Sequence, residues 1–187
     1  MPETRHSKRS RLVDTANRLV HEQGFNRTTL ADIAKEANVP LGNVYYYFKT
    51  KEEIGHAVID QRASFYAAQM ETWNALPDPR KRIQAFIQMV IDAREMLAHS
   101  GCPIGSLCQE LHKAGGPLAD KAASMFTAVL AWLEGQFRLL GKGKEAPDLA
   151  LHLLSALEGA TLLAHSFNSP EPIQRETDRL KAWIKTL

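Results

Sequence analysis

Cysteine is nearly missing from these 187 residues, with Cys102 and Cys108 as the whole supply. Two thiols cannot build the several bridges of a small secreted scaffold, so a disulfide framework is excluded. No run of 18 apolar residues occurs, which excludes a membrane-spanning helix. The opening stretch, Met1-Pro-Glu-Thr-Arg-His-Ser-Lys-Arg-Ser-Arg, holds no apolar segment of the kind that directs secretion. These absences lead to the expectation of a reducing, cytoplasmic compartment and no membrane partner. Strand patterning is missing too: there is no sustained apolar–polar alternation, and Val and Ile are sparse. Internal repeats and low-complexity tracts do not occur. Neither does a Ser/His/Asp order, a glycine-rich phosphate loop or a paired-carboxylate motif. No enzyme activity and no cofactor is therefore expected. Cys108 and His112 share a helix face, but their spacing fits no standard zinc set, so no metal is assigned.

What is present is the composition of an ordinary soluble protein, 44% hydrophobic and 24% charged, enough for one or two small domains with a core. The net charge of +2 is small, but its distribution is uneven. Residues 1–51 hold nine Lys/Arg against five Asp/Glu, and the remaining residues carry a slight acidic excess. A basic N-terminal quarter on a mildly acidic body suits a polyanion-binding module joined to something else, although a solvated basic face gives the same count.

Apolar residues recur at helical spacing almost everywhere, predicting an all-α fold of nine helices. The first runs from about Lys8 to Gln23, stopped by Gly24. Thr29 caps a short second helix, with Asp32 three positions on as a weak capping box. Asn38-Val39-Pro40 is a tight turn, and a third short helix runs from about Leu41 to Phe48. Thr50 caps a long fourth helix with Ile54, Val58, Phe65 and Trp73 on its inner stripe, broken at Leu76-Pro77-Asp78-Pro79. Five more follow: Ile83 to Leu97, from Pro103 to Leu111, Leu118 to Leu140, Leu149 to Leu163, and Ile173 to Leu187. The expected division is 1–52 and 53–187, inside the fourth helix, so a continuous helix can carry a tilt from one part to the other.

The informative stretch is Thr29 to Ile54. It reads as two short amphipathic helices about a tight turn, the arrangement of a helix-turn-helix, with Ala34 small at the crossing. Ile33, Ala37, Val39 and Val44 would close a small core with Leu12 and Leu19, and Phe48 belongs to it. The third helix then presents Leu41, Gly42, Asn43, Tyr45, Tyr46 and Tyr47, almost without charge. Tyrosine hydroxyls donate to phosphates, their rings pack on sugars, and Asn reads a base edge.

Thr29, Ile33-Ala34, Ala37, Val39, Gly42, Tyr45, Tyr47-Phe48, Lys51 and Glu52 resemble the DNA-binding domain of the TetR family of bacterial repressors. Asn38 stands where the family usually has glycine, and Pro40 where it often has a capping Ser. The close likeness covers about Ser7 to Ile59. It implies a ligand-responsive regulator of transcription, most simply a repressor released from a pseudo-palindromic operator in double-stranded DNA. Leu41, Gly42 and Asn43 would reach base edges, while Thr29, Tyr45, Tyr46, Tyr47, Lys49 and Lys51 would hold phosphates or sugars. Arg5, Lys8, Arg9 and Arg11 would form an arm over the adjacent backbone, or stay as solvated charge. The competing reading is an all-helical small-molecule-binding protein or enzyme without DNA binding, which leaves the tyrosines of the third helix unexplained.

One such module makes few contacts, so a homodimer through residues of about 147–187 is expected. Ala156, Gly159 and Ala160 allow close helix approach, and Trp183, Ile184 and Leu187 offer an apolar end face. The resemblance further implies a cavity for a small-molecule inducer among the middle helices. Candidates for lining it are Phe65, Trp73, Phe86, Met89, Cys102, Met125 and Phe126. The segment from Gly101 to Leu111 is similar to one in a subgroup that includes repressors sensing electrophiles through cysteine. Cys102, just before a helix N-terminus, is a candidate for an acidified thiol.

Overall fold

The computed structural model describes residues 5–187, with side chains from Lys8 onward. Among the described residues every regular element is a helix: α1 Arg5–Gln23, α2 Leu30–Glu36, α3 Leu41–Tyr47, α4 Lys51–Asn74, α5 Pro79–Asp92, α6 Arg94–Ser100, α7 Pro103–Ala114, α8 Pro117–Leu139, α9 Ala146–Phe167 and α10 Glu171–Thr186. All nine expected helices are present in order. The fifth is divided at Ala93, whose backbone (φ −90°, ψ 1°) leaves the helical region, so α5 and α6 are separate and ten segments result. At that corner the Arg94 guanidinium donates to the Ile91 carbonyl at 3.1 Å, serving the end of α5 in place of a continuing turn.

The chain forms two compact units. One holds the residues up to Ser64 together with Ser106–Ser124, and the other holds Phe65–Gly105 and Met125–Leu187. The chain changes unit inside α4, α7 and α8.

In the first unit α2 packs on α1 and α3. Leu12, Val13, Ala16, Ile33, Ala34, Ala37, Val39, Val44, Phe48, Ile54 and Val58 form its core. Two-turn helices are marginal alone, so their ends are fixed by local chemistry. The capping box at α2 is complete: Asp32 N–H donates to Thr29 Oγ1 at 3.1 Å, and Thr29 N–H donates to Asp32 Oδ2 at 2.9 Å. The Thr29 hydroxyl, which donates to Asp32 Oδ2 at 2.6 Å, and after it the Thr29 N–H hold the Asp32 carboxyl below the usual carboxylate range. Asn38 supplies the left-handed residue of the turn at φ 51°, and Val39 N–H closes it on the Ala34 carbonyl at 2.9 Å.

The inner stripe of α4 differs from expectation at one residue. Phe65 is 52% exposed, and the buried face of α4 drifts from Val58 and Arg62 to Met70 and Trp73, with Tyr66 half-buried. Arg62 is buried in its place. Its Nε donates to Asn17 Oδ1 at 2.6 Å, and its Nη2 donates to the Asn17 carbonyl at 3.2 Å. Asn17 Nδ2 donates in turn to Gln61 Oε1 at 2.9 Å. A polar clamp thus ties α1 to α4, with the buried cation satisfied.

The second unit is built on a larger aromatic core. Trp73, Phe86 and Trp132 meet edge-on or tilted with centroids 5.4 to 6.2 Å apart, and Trp132 Nε1 donates to Asn74 Oδ1 at 2.9 Å. Phe137, Leu133, Leu153, Ile83, Ile87 and Ile184 are fully enclosed beside them. α10 packs on α5 and α9, and α6 packs on α9. No described helix is long and apolar enough to cross a membrane.

Candidate nucleic-acid interface

The face of α3 follows from its core contacts. Val44 is wholly buried and Phe48 nearly so, which anchors the helix through one side and turns Leu41, Gly42, Asn43, Tyr45 and Tyr46 outward. Tyr46 is 55% exposed, Tyr45 46% and Leu41 40%. Tyr47 is half-buried against the core, its ring edge-on to Tyr46 at 5.1 Å. Gly42 has open space where a Cβ would stand. At seven residues α3 is about 10 Å long, and a helix of that size fits a major groove roughly 12 Å wide. The outward face carries hydroxyls, an amide and hydrocarbon but no charge. Cations flank it. Lys49 is exposed, and the Arg9 guanidinium sits 5.2 Å from the centroid of the Phe48 ring. Lys8, Arg9 and Arg11 belong to α1 itself, while the Arg5 side chain lies outside the described residues.

Two of the predicted phosphate ligands are already engaged. The exposed Thr29 hydroxyl donates to Asp32 Oδ2 at 2.6 Å. The Lys51 ammonium donates to the Asn26 carbonyl at 3.0 Å and lies 4.6 Å from the centroid of the Phe25 ring. Burial lowers the Lys51 pKa, opposed by the nearby Glu110 and Glu52 carboxylates.

The predicted inducer residues fall into three settings. Trp73, Phe86 and Met125 are buried; Met89, Phe126 and Cys102 are half-buried; Phe65 is exposed. The expectation of an acidified Cys102 is overturned. Burial first, then the Glu158 carboxylate, push the thiol well above its ordinary value, and these outweigh the Gly105 N–H that donates to its sulfur at 3.3 Å. Burial also raises Glu158, which accepts from the thiol. The absence of a side chain at Gly105 permits this approach, since a Cβ there would stand 2.8 Å from Glu158 Oε2. Among the described residues no group of three or more His, Cys, Asp or Glu could hold a metal.

Of the predicted end face, Ile184 is fully buried, and Trp183 and Leu187 pack against the same core, Trp183 over Phe137 and His152. The exposed hydrocarbon instead runs along α9 as Leu151, Leu162, Leu163 and Phe167, with Gly159 in the stripe. The sequence carried that signal: α9 is apolar at helical spacing on two opposite sides, more than one core needs. Glu110, whose carboxylate reaches the corner after α1, was also missed as a structural partner of the helix-turn-helix.

The comparisons with known proteins agree with this geometry. Residues 12–58 match the model of bacterial regulatory proteins of the TetR family, and residues 79–178 match the C-terminal domain of LmrA/YxaF-like transcriptional regulators. The chain is 28% identical to the HTH-type transcriptional repressor DhaR of Mycobacterium sp. (strain GP1) over 181 residues, covering 89% of this chain and 87% of the relative. It is 27% identical to the repressor NemR of Escherichia coli K12 over 201 residues, covering 98% and 96%. A TetR transcriptional regulator from Legionella pneumophila superimposes with a TM-score of 0.85 over 100% of this chain and 98% of that one, at 21% identity, which speaks for the fold. The chain belongs to the TetR family and is a ligand-responsive, DNA-binding regulator of transcription.

Proposed function

We propose that the chain is a repressor that holds a pseudo-palindromic operator as a homodimer and is released by a small-molecule inducer. Residues 1–52 carry the DNA contacts, and 53–187 carry inducer binding and dimerisation, the latter through about 147–187. The observation that carries the reading is the uncharged face of α3, with Leu41, Gly42, Asn43, Tyr45 and Tyr46 turned outward over a closed core. Leu41, Gly42 and Asn43 read base edges. Thr29, Tyr45, Tyr46, Tyr47, Lys49 and Lys51 fix the helix on the backbone, Lys51 after exchanging its Asn26 carbonyl for a phosphate. Repression is supported by the printed names of DhaR and NemR.

The exposed hydrocarbon of α9 supports pairing with a second copy. For the inducer, the candidate lining is Phe65, Trp73, Phe86, Met89, Cys102, Met125 and Phe126, of which Trp73, Phe86, Met89 and Phe126 pack in one aromatic-rich cluster. Inducer shifts the dimer toward a form whose recognition helices no longer match grooves about 34 Å apart. Selection of bound duplexes from a random pool, with the full chain, tests the reading. An enriched inverted repeat is expected, and a pool without enrichment would overturn it.

A further inference from the structure

We propose that Glu110 is a positioning residue for DNA binding: from α7 it holds the corner between α1 and α2, and with it Lys51, in the arrangement that presents α2 and α3 to a duplex. This rests on the DNA-binding reading above.

The corner runs from Gly24 to Thr28 and leads straight into Thr29, the cap of α2. Its amides can be followed one by one. Gly24 N–H donates to Val20 O at 3.2 Å and Thr28 N–H to Phe25 O at 3.2 Å. Phe25 and Asn26 have no such local acceptor in the turn. Phe25 N–H donates to Glu110 Oε1 at 3.2 Å, and Asn26 N–H donates to Glu110 Oε2 at 2.9 Å. One carboxylate from more than eighty residues away therefore serves two adjacent amides. Gly24 leaves the space for it: a Cβ there would stand 2.6 Å from Glu110 Oε1, and the backbone is left-handed at φ +91°. On the other side the corner is gripped by Lys51, through the Asn26 carbonyl and the Phe25 ring, and Glu110 attracts that same ammonium. Glu110 thus sets both the backbone before α2 and the cation at the start of α4.

The sign of the mutational effect separates this role from plain charge. Removing an acidic group from a DNA-binding protein strengthens binding when charge alone acts, and equally for Ala and Gln. Positioning predicts the reverse. On the selected duplex, Glu110→Ala weakens binding about tenfold, while Glu110→Gln, which keeps one acceptor oxygen, weakens it about threefold. Amide exchange at Phe25 and Asn26 speeds up in Glu110→Ala, while Ile83 and Leu153 amides in the second unit keep their protection. Should Glu110→Ala fold poorly, Glu110→Gln carries the same comparison. Variants that bind at or above the wild-type affinity, or unchanged exchange at Phe25 and Asn26, would overturn the role alone. A wild-type chain that binds no duplex would overturn the DNA-binding reading along with it.

Discussion

Two helices of this protein expose large apolar side chains, and they do so in different chemistry. α3 turns out Leu41, Tyr45 and Tyr46 beside Gly42 and Asn43, so nearly every ring or chain has a polar group at hand. α9 turns out Leu151, Leu162, Leu163 and Phe167, hydrocarbon only. Rings that end in hydroxyls suit a wet, phosphate-lined partner that is left and rejoined. Bare hydrocarbon at this density suits a partner that excludes water, such as a second copy of the same face. Exposure alone therefore does not define a function; the atoms at the tips of the side chains separate a surface for DNA from a surface for a twin.

Breaking the α9 side of the contrast has the largest expected effect. Leu163→Glu combined with Phe167→Glu places charge in the stripe without touching the core, so sedimentation reports a monomer. Operator affinity then falls by about a hundredfold or more, because the second half-site no longer binds as part of the same complex. On the α3 side, Tyr45→Phe with Tyr46→Phe removes two hydroxyls and keeps both rings. About 2 kcal/mol of DNA binding is lost, some thirtyfold, with no change in the thermal midpoint. A lowered midpoint would mean that these tyrosines serve packing. Asn43→Ala is expected to erase about 1–2 kcal/mol of preference at a single base position, leaving affinity for random duplex intact.

The smallest effects concern pH, and they differ in sign between the two units. Asp32 is held below its ordinary value of 3.8, so its contribution to stability is full above that value and fades as pH falls through the folded-state pKa. Glu158 is raised above its ordinary 4.5, so the folded state binds a proton more readily and stability declines as pH rises from that value through the folded-state pKa. Urea titrations across pH should show Asp32→Asn flattening the acid side and Glu158→Gln flattening the decline at higher pH.

What could be read from the sequence was what local chemistry settles. Thr29 with Asp32 announced a capping box, Asn38 a left-handed turn, and Val44 and Phe48 a buried side for α3. What could not be read depends on contacts between distant segments. Phe65 and Tyr66 are neighbouring aromatics, and only the folded core shows which of them it half-buries. The helix start beside Cys102 argued for an acidic thiol, and burial, joined by the Glu158 carboxylate from α9, reversed it. Glu110 looks like any other helical acid until the corner after α1 is folded against it.

Tyr46 in the first unit and Phe65 in the second are aromatics of nearly equal exposure, 55% and 52%, which makes them a matched pair. A photo-crosslinking phenylalanine analogue at each position, irradiated with the selected duplex, tests the central claim most directly. The account predicts adducts from position 46 within each half-site and none from position 65. Adducts from position 65 alone, or from neither, would contradict it.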